Sequence, residues 1–126
     1  MQFSSLRFAD VVVVAPAGQI DHPNAARLQQ ELAPVTEQAG TSAVALVLDF
    51  SAVGYISSMG LRVLMIASKD LRAHGARIAV ADLQPVVAEI FGIARFGHVV
   101  EVFPSVRAAL QALSAPALAA YETAAL

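Results

Sequence analysis

Residues 46 to 64 read LVLDFSAVGYISSMGLRVL. An unbroken aliphatic run closes on Asp49, a short stretch follows, and from Ser57 onward the apolar residues recur at helical spacing. The full apolar run, AVALVLDF over 43–50, lacks the polar alternation of a half-exposed strand and so suits a strand buried on both faces of a parallel sheet. The segment after it predicts a helix from Ser57 to His74, with Gly75 as its stop. A strand feeding a helix in this way predicts an α/β layer fold, and it leaves two adjacent hydroxyls at the amino end of that helix.

On the N-terminal side, QFSSLRF and VVVVAPAG are short strand-like runs separated by Ala9 and Asp10, which predicts a hairpin. A helix then opens near Pro23, with Asp21 or His22 as its cap. Leu28, Leu32, Val35 and Ala39 form its apolar face and Gly40 ends it. Pro34 falls inside this pattern; an interior proline removes a backbone hydrogen bond at a cost of about 3 kcal/mol, so a kink or early break is expected there.

On the C-terminal side, ARIAVAD reads as another buried strand. Pro85 opens a helix anchored by Ile90 and Phe91, HVVEVF reads as a short strand, and Ser105 caps VRAALQAL, where Val106, Leu110 and Leu113 share a face. The alternation predicts a mixed, mostly parallel sheet with an N-terminal antiparallel hairpin, flanked by about four helices. Residues 1–114 form one domain, and the alanine-rich 115–126 is a tail or an extra helix.

The chain has 126 residues, enough for one domain with a real core. Its mean hydropathy is +0.64. That value reflects 26 alanines, and the aliphatic runs fall far short of the ~18 residues a membrane span requires. No basic start followed by a long apolar segment marks a secretory signal, so a soluble cytoplasmic protein is expected. With no cysteine there is no disulfide and no thiolate metal site. A net charge of −2, with aromatic residues at 6%, argues against a nucleic-acid partner.

Three readings fit Ser57 and Ser58. As a nucleophile, Ser58 has Gly60 two residues after it but Ile56, not glycine, two before, and nothing in the spacing of His74 or His98 marks a base. As a cap, one serine suffices, and Ser57 is the natural candidate. As a modification site, Ser58 would sit in the first turn, where free N–H groups and the helix dipole favour a phosphate. Arg62, four residues on, could pair with that phosphate, or it could belong to a solvated stripe with Lys69 and Arg72. Gly54 suits a turn and Gly60 close packing. Asp49 suits a structural turn at the strand end. No glycine-rich loop supports nucleotide binding.

These blocks together resemble the STAS domains, named for sulfate transporters and anti-sigma factor antagonists, and most nearly the stand-alone bacterial antagonists. The resemblance runs from about Phe3 to Leu113 and rests on GQIDHPNAARLQQEL, LVLDFSAVGYISSMGLRVL, GARIAVADLQPVVAEIF and VRAAL. Family members carry Asp-Ser-Ser-Gly or a near variant where this chain has Ser57, Ser58, Met59 and Gly60. The resemblance implies that Ser58 is the phosphoacceptor. It aligns Asp21 with a family aspartate near that serine, with Asn24 close behind. Met59 and Leu61 are either contacts for a partner or core residues.

The resemblance further implies a switch without catalysis or cofactor. The unmodified chain would bind an anti-sigma factor serine kinase of the histidine-kinase-like ATPase fold and so release a sigma factor. Phosphorylation would end that binding, and a metal-dependent serine phosphatase would restore it. The alternative is a structural STAS subunit of a lipid-transport ABC complex or a stress-signalling assembly.

Overall fold

The computed structural model describes residues 1–38 and 43–124. The elements run β1 (Gln2–Phe8), β2 (Val11–Ile20), α1 (His22–Gln38), β3 (Ala45–Asp49), β4 (Val53–Ile56), α2 (Ser58–Ala73), β5 (Arg77–Ala81), α3 (Pro85–Ile93), a single 3-10 turn (Phe96–His98), β6 (Glu101–Phe103), α4 (Val106–Leu113) and α5 (Ala115–Ala124). The sheet order is β1-β2-β3-β5-β6, with β1 antiparallel to β2 and the remaining pairs parallel. This is the α/β arrangement the sequence predicts.

The central strands are apolar on both sides because both sides are covered. Val12, Val14, Leu46, Leu48, Ile78 and Val80 pack under α1, α2 and α3 with Leu28, Leu64, Leu71 and Phe91. The alternate residues, Val11, Val13, Ala45, Val47, Ala79 and Ala81, meet Leu110 of α4 and Ala117 of α5. Three small alanines on this second face leave room for the two short C-terminal helices. Residues 115–124 are helical, and Tyr121 sets its ring edge-on to Phe8 at 5.3 Å.

Several features depart from the sequence expectations. Helix α1 continues past Pro34 to Gln38 without a break. Pro34 and Gln30 are both exposed, so the Gln30 carbonyl that loses its helical donor is open to water. Leu28, Leu32 and Val35 stay buried on the other face. The predicted positions of Ala39 and Gly40 lie outside the described residues. HVVEVF is shorter as a strand than predicted: His98 belongs to the 3-10 turn and β6 begins at Glu101. Arg95, in left-handed backbone, closes α3 and tightens that turn, while Phe96 and Val100 go into the core.

The departure that matters most for function is β4. Residues 53–56 are no mere turn between β3 and α2 but a short strand parallel to the end of β2. Gly18 has φ +119, and the β2–β4 register shifts between Gly18 and Gln19 as β2 changes partner from β3 to β4. Glycine adopts that backbone without a Cβ penalty. The outcome is that Gln19 lies opposite Tyr55 and Ile20 opposite Ile56, which brings the starts of α1 and α2 to one end of the sheet.

Candidate functional site

The site grows from these two parallel strand ends. Ile20 leaves β2 and its carbonyl accepts from the Ser57 amide at 2.8 Å, so the end of one strand holds the start of the helix that follows the other. Each helix then takes its own cap. The Asp21 carboxylate accepts from the Asn24 amide at 3.0 Å, and the Asn24 side chain donates to the Gln19 carbonyl at 2.9 Å. Asp21, not His22, is therefore the cap of α1. Asp21 and Asn24 are half-buried and engaged in one local turn.

Ser57 caps α2 from extended backbone, φ −83 and ψ 169, and its hydroxyl accepts from the Gly60 amide at 3.2 Å. The helix ends as predicted, with His74 as its C-cap and Gly75 at φ +76. Ser58 opens the first turn and is exposed. Among the described residues nothing accepts from the Ser58 and Met59 amides, and the first turn holds no acidic residue. Two free donors and the positive end of the dipole thus surround an accessible hydroxyl, a setting that favours an anion. Arg62 is exposed on the same side one turn later, and no hydrogen bond or ion pair holds it among the described residues. Of the other cations in its stripe, Arg72 donates to the Val99 carbonyl at 2.8 Å.

Gly60 is required by packing. A β-carbon there would lie 2.7 Å from Ile20 Cγ2 and 2.7 Å from Ile56 Cγ1, so the helix start lies directly on the two strand ends. Gly54 has a different role from the turn expected of it: it sits within β4 without a positive φ. The structure also separates Met59 from Leu61. Met59 is 38% exposed, while Leu61 packs on the core. Asp49 accepts from the Ser51 amide at 3.0 Å, an Asx-type turn after β3.

Of the two histidines that follow Ser58 in the chain, neither has a hydrogen bond to it among the described residues. His74 is at the far end of α2, about 24 Å away at 1.5 Å per residue, and its Nδ1 lies 2.8 Å from the Asp70 carbonyl. His98 lies in the turn that precedes β6.

Sequence reasoning missed three exposed apolar residues on the elements that carry the serine: Tyr55 on β4, and Met65 and Ile66 further along α2. Helical periodicity marks an apolar stripe but not the extra apolar residues beside it. Tyr55 carried no signal because β4 itself went unrecognised.

A family model described as "STAS domain" matches residues 5–109. The chain is 31% identical over 104 residues to BtrV of Bordetella bronchiseptica, a candidate anti-sigma factor antagonist, with 82% of this chain and 84% of the relative covered. Among solved structures it is similar to an anti-sigma factor antagonist from Mycobacterium paratuberculosis, with TM-score 0.80 and 25% identity over 89% of this chain and 92% of that one. It is also similar in fold to the anti-sigma factor antagonist SpoIIAA in its unphosphorylated form, with TM-score 0.72 and 16% identity over 88% and 96% of the two chains.

Proposed function

The chain belongs to the STAS domain family, and from that premise we propose that it acts as an anti-sigma factor antagonist switched by phosphorylation of Ser58. The observation that carries this reading is the division of labour between the two serines. Ser57 spends its hydroxyl on the cap, and Ser58 presents its own to solvent beside two free amides. The names of the relatives support the same role.

In this reading the chain is a docking module and not an enzyme. Unmodified, it binds an anti-sigma factor serine kinase of the histidine-kinase-like ATPase fold through the start of α2, with Met59, Tyr55, Met65 and Ile66 as apolar contacts. Asp21 and Asn24 hold the neighbouring helix start in place. The partner then works on the serine: Ser58 Oγ attacks the γ-phosphorus of ATP, ADP leaves, and the hydroxyl proton passes to a base of the kinase. The product carries about −1.5 to −2 charge at neutral pH. The free amides and Arg62 stabilise that charge on this chain. The surface that fitted a neutral hydroxyl no longer fits, and a loss of about 2.8 kcal/mol weakens docking a hundredfold. A metal-dependent serine phosphatase restores the neutral state.

The direct test is incubation with an anti-sigma factor serine kinase of the same organism and ATP, followed by mapping of phosphate by mass spectrometry. Label on Ser58 supports the assignment. Label on Ser57 keeps the switch but moves its residue. Label on neither serine favours a structural subunit of a larger assembly.

A further inference from the structure

We propose that the trough between β6 and α3 is a second docking site, one that receives an extended partner segment carrying apolar side chains and a carboxylate. None of its lining residues belongs to β4 or α2, and it lies on the strand at the sheet margin opposite β1. Among the described residues β6 is the last strand in the sheet order and pairs with β5 alone. Its outer backbone groups therefore form a template for one more strand.

Beside that margin opens a trough of about 630 Å³, with Leu83, Phe91, Gly92 and Val102 as apolar lining and Arg95 and His98 as polar lining. It is preformed. The Val99 carbonyl, in the turn before β6, accepts from Ser68 Oγ at 3.0 Å and from Arg72 at 2.8 Å. A β-carbon added at Gly92 or Gly97 would meet no atom within 4 Å, so the space over both is open. Ile93, at the same end of α3, is 79% exposed.

Charge selects the occupant. Among the described residues the trough is lined by an arginine and a histidine and by no acidic residue. Among the described residues nothing accepts from the Arg95 guanidinium. Arg95 also holds left-handed backbone, φ 53 and ψ 39, where glycine or asparagine would sit with less strain. That conformation ends α3 at Arg95 and carries the chain into the 3-10 turn. The groove beside β1, at the opposite end of the sheet order, has Asp49 in its lining, so a carboxylate-bearing segment prefers the β6 side.

The test is amide NMR on the full-length chain, titrated with a blocked peptide of alternating valine and glutamate and separately with its valine–lysine counterpart. The acidic peptide should shift amides in 83–103 and saturate below about 1 mM, while the basic one should not saturate in that range. Arg95→Gly suits the left-handed backbone, so the fold should persist and acidic-peptide affinity should fall about threefold or more. No shifts with either peptide would overturn the proposal. So would equal response to both, or shifts that move to β1 or α2. The same shifts on raising protein concentration alone would make the occupant a second copy of this chain and also overturn it.

Discussion

The Ser57 hydroxyl accepts from the Gly60 amide at 3.2 Å, which makes Ser57 the cap of α2 and leaves Ser58 the exposed member of the pair. Two adjacent residues of one type thus differ in environment because only Ser57 caps the helix with its hydroxyl. The distinction gives the two serines opposite mutational profiles.

Ser57→Ala should lower stability by about 1 kcal/mol through loss of the cap, a fall in Tm of roughly 3 °C, while Ser58 remains a kinase substrate. Calorimetry and phosphate mapping on the same variant check both halves. An unchanged Tm would mean that the cap contributes nothing.

Ser58→Ala should alter stability by less than about 0.5 kcal/mol, since the side chain is exposed. It should retain binding to the kinase and block phosphorylation-driven release. Ser58→Asp should weaken binding by tenfold or more. Titration calorimetry against the kinase, with and without ATP, reads these outcomes, and tight binding by the aspartate variant would contradict the switch.

Gly60→Ala should be the most damaging conservative change at this site. Its methyl group would fall 2.7 Å from both Ile20 and Ile56, and relieving that overlap should cost about 1–3 kcal/mol. Chemical denaturation measures it. Because the same contact seats α2 on the strand ends, partner binding should weaken in parallel.

Ser114→Ala should loosen α5. The Ser114 hydroxyl donates to Asp10 at 2.6 Å and accepts from the Ala117 amide at 3.2 Å, tying this helix to the β1–β2 turn. Loss of both bonds should cost about 1–2 kcal/mol and speed hydrogen exchange in 115–124 while α2 stays protected.

Arg77 and Glu101 form a two-pronged ion pair between β5 and β6 at 2.9 and 2.6 Å. Both side chains are about half exposed, at 52% and 43%, so Glu101→Gln should cost under about 1 kcal/mol and less at high salt. The hydrogen bond to Glu101, aided by its charge and only partly opposed by burial, raises the Arg77 pKa above its ordinary value. A raised pKa on a cation gives stability that is full below the unfolded-state value and lost only as pH climbs through the higher folded one. Denaturation midpoints of native and Glu101→Gln proteins should therefore keep a constant gap on the arginine's account from pH 7 to pH 10.

Features whose causes are local or compositional were legible along the chain. The caps Asp21, Ser57 and Ser105 each bond a backbone amide three residues on, at a distance along the chain that needs no tertiary contact. The two-sided burial of β3 was legible in its unbroken aliphatic run, because a strand covered on one face alone would alternate. Tertiary structure alone decided the rest. Whether residues 53–56 are turn or strand depends on the end of β2 being there to pair with them. That pairing in turn fixes why Gly60 must be glycine, since Ile20 and Ile56 reach it from two separate strands. Pro34 is tolerated because the bond it forfeits faces water, and Met59 is exposed while Leu61 is packed because of how α2 is rotated over the sheet. A pattern along a chain records which residues avoid water. It does not record which distant residue will cover them, and that choice is made only when non-local strands pair and the helices settle on them.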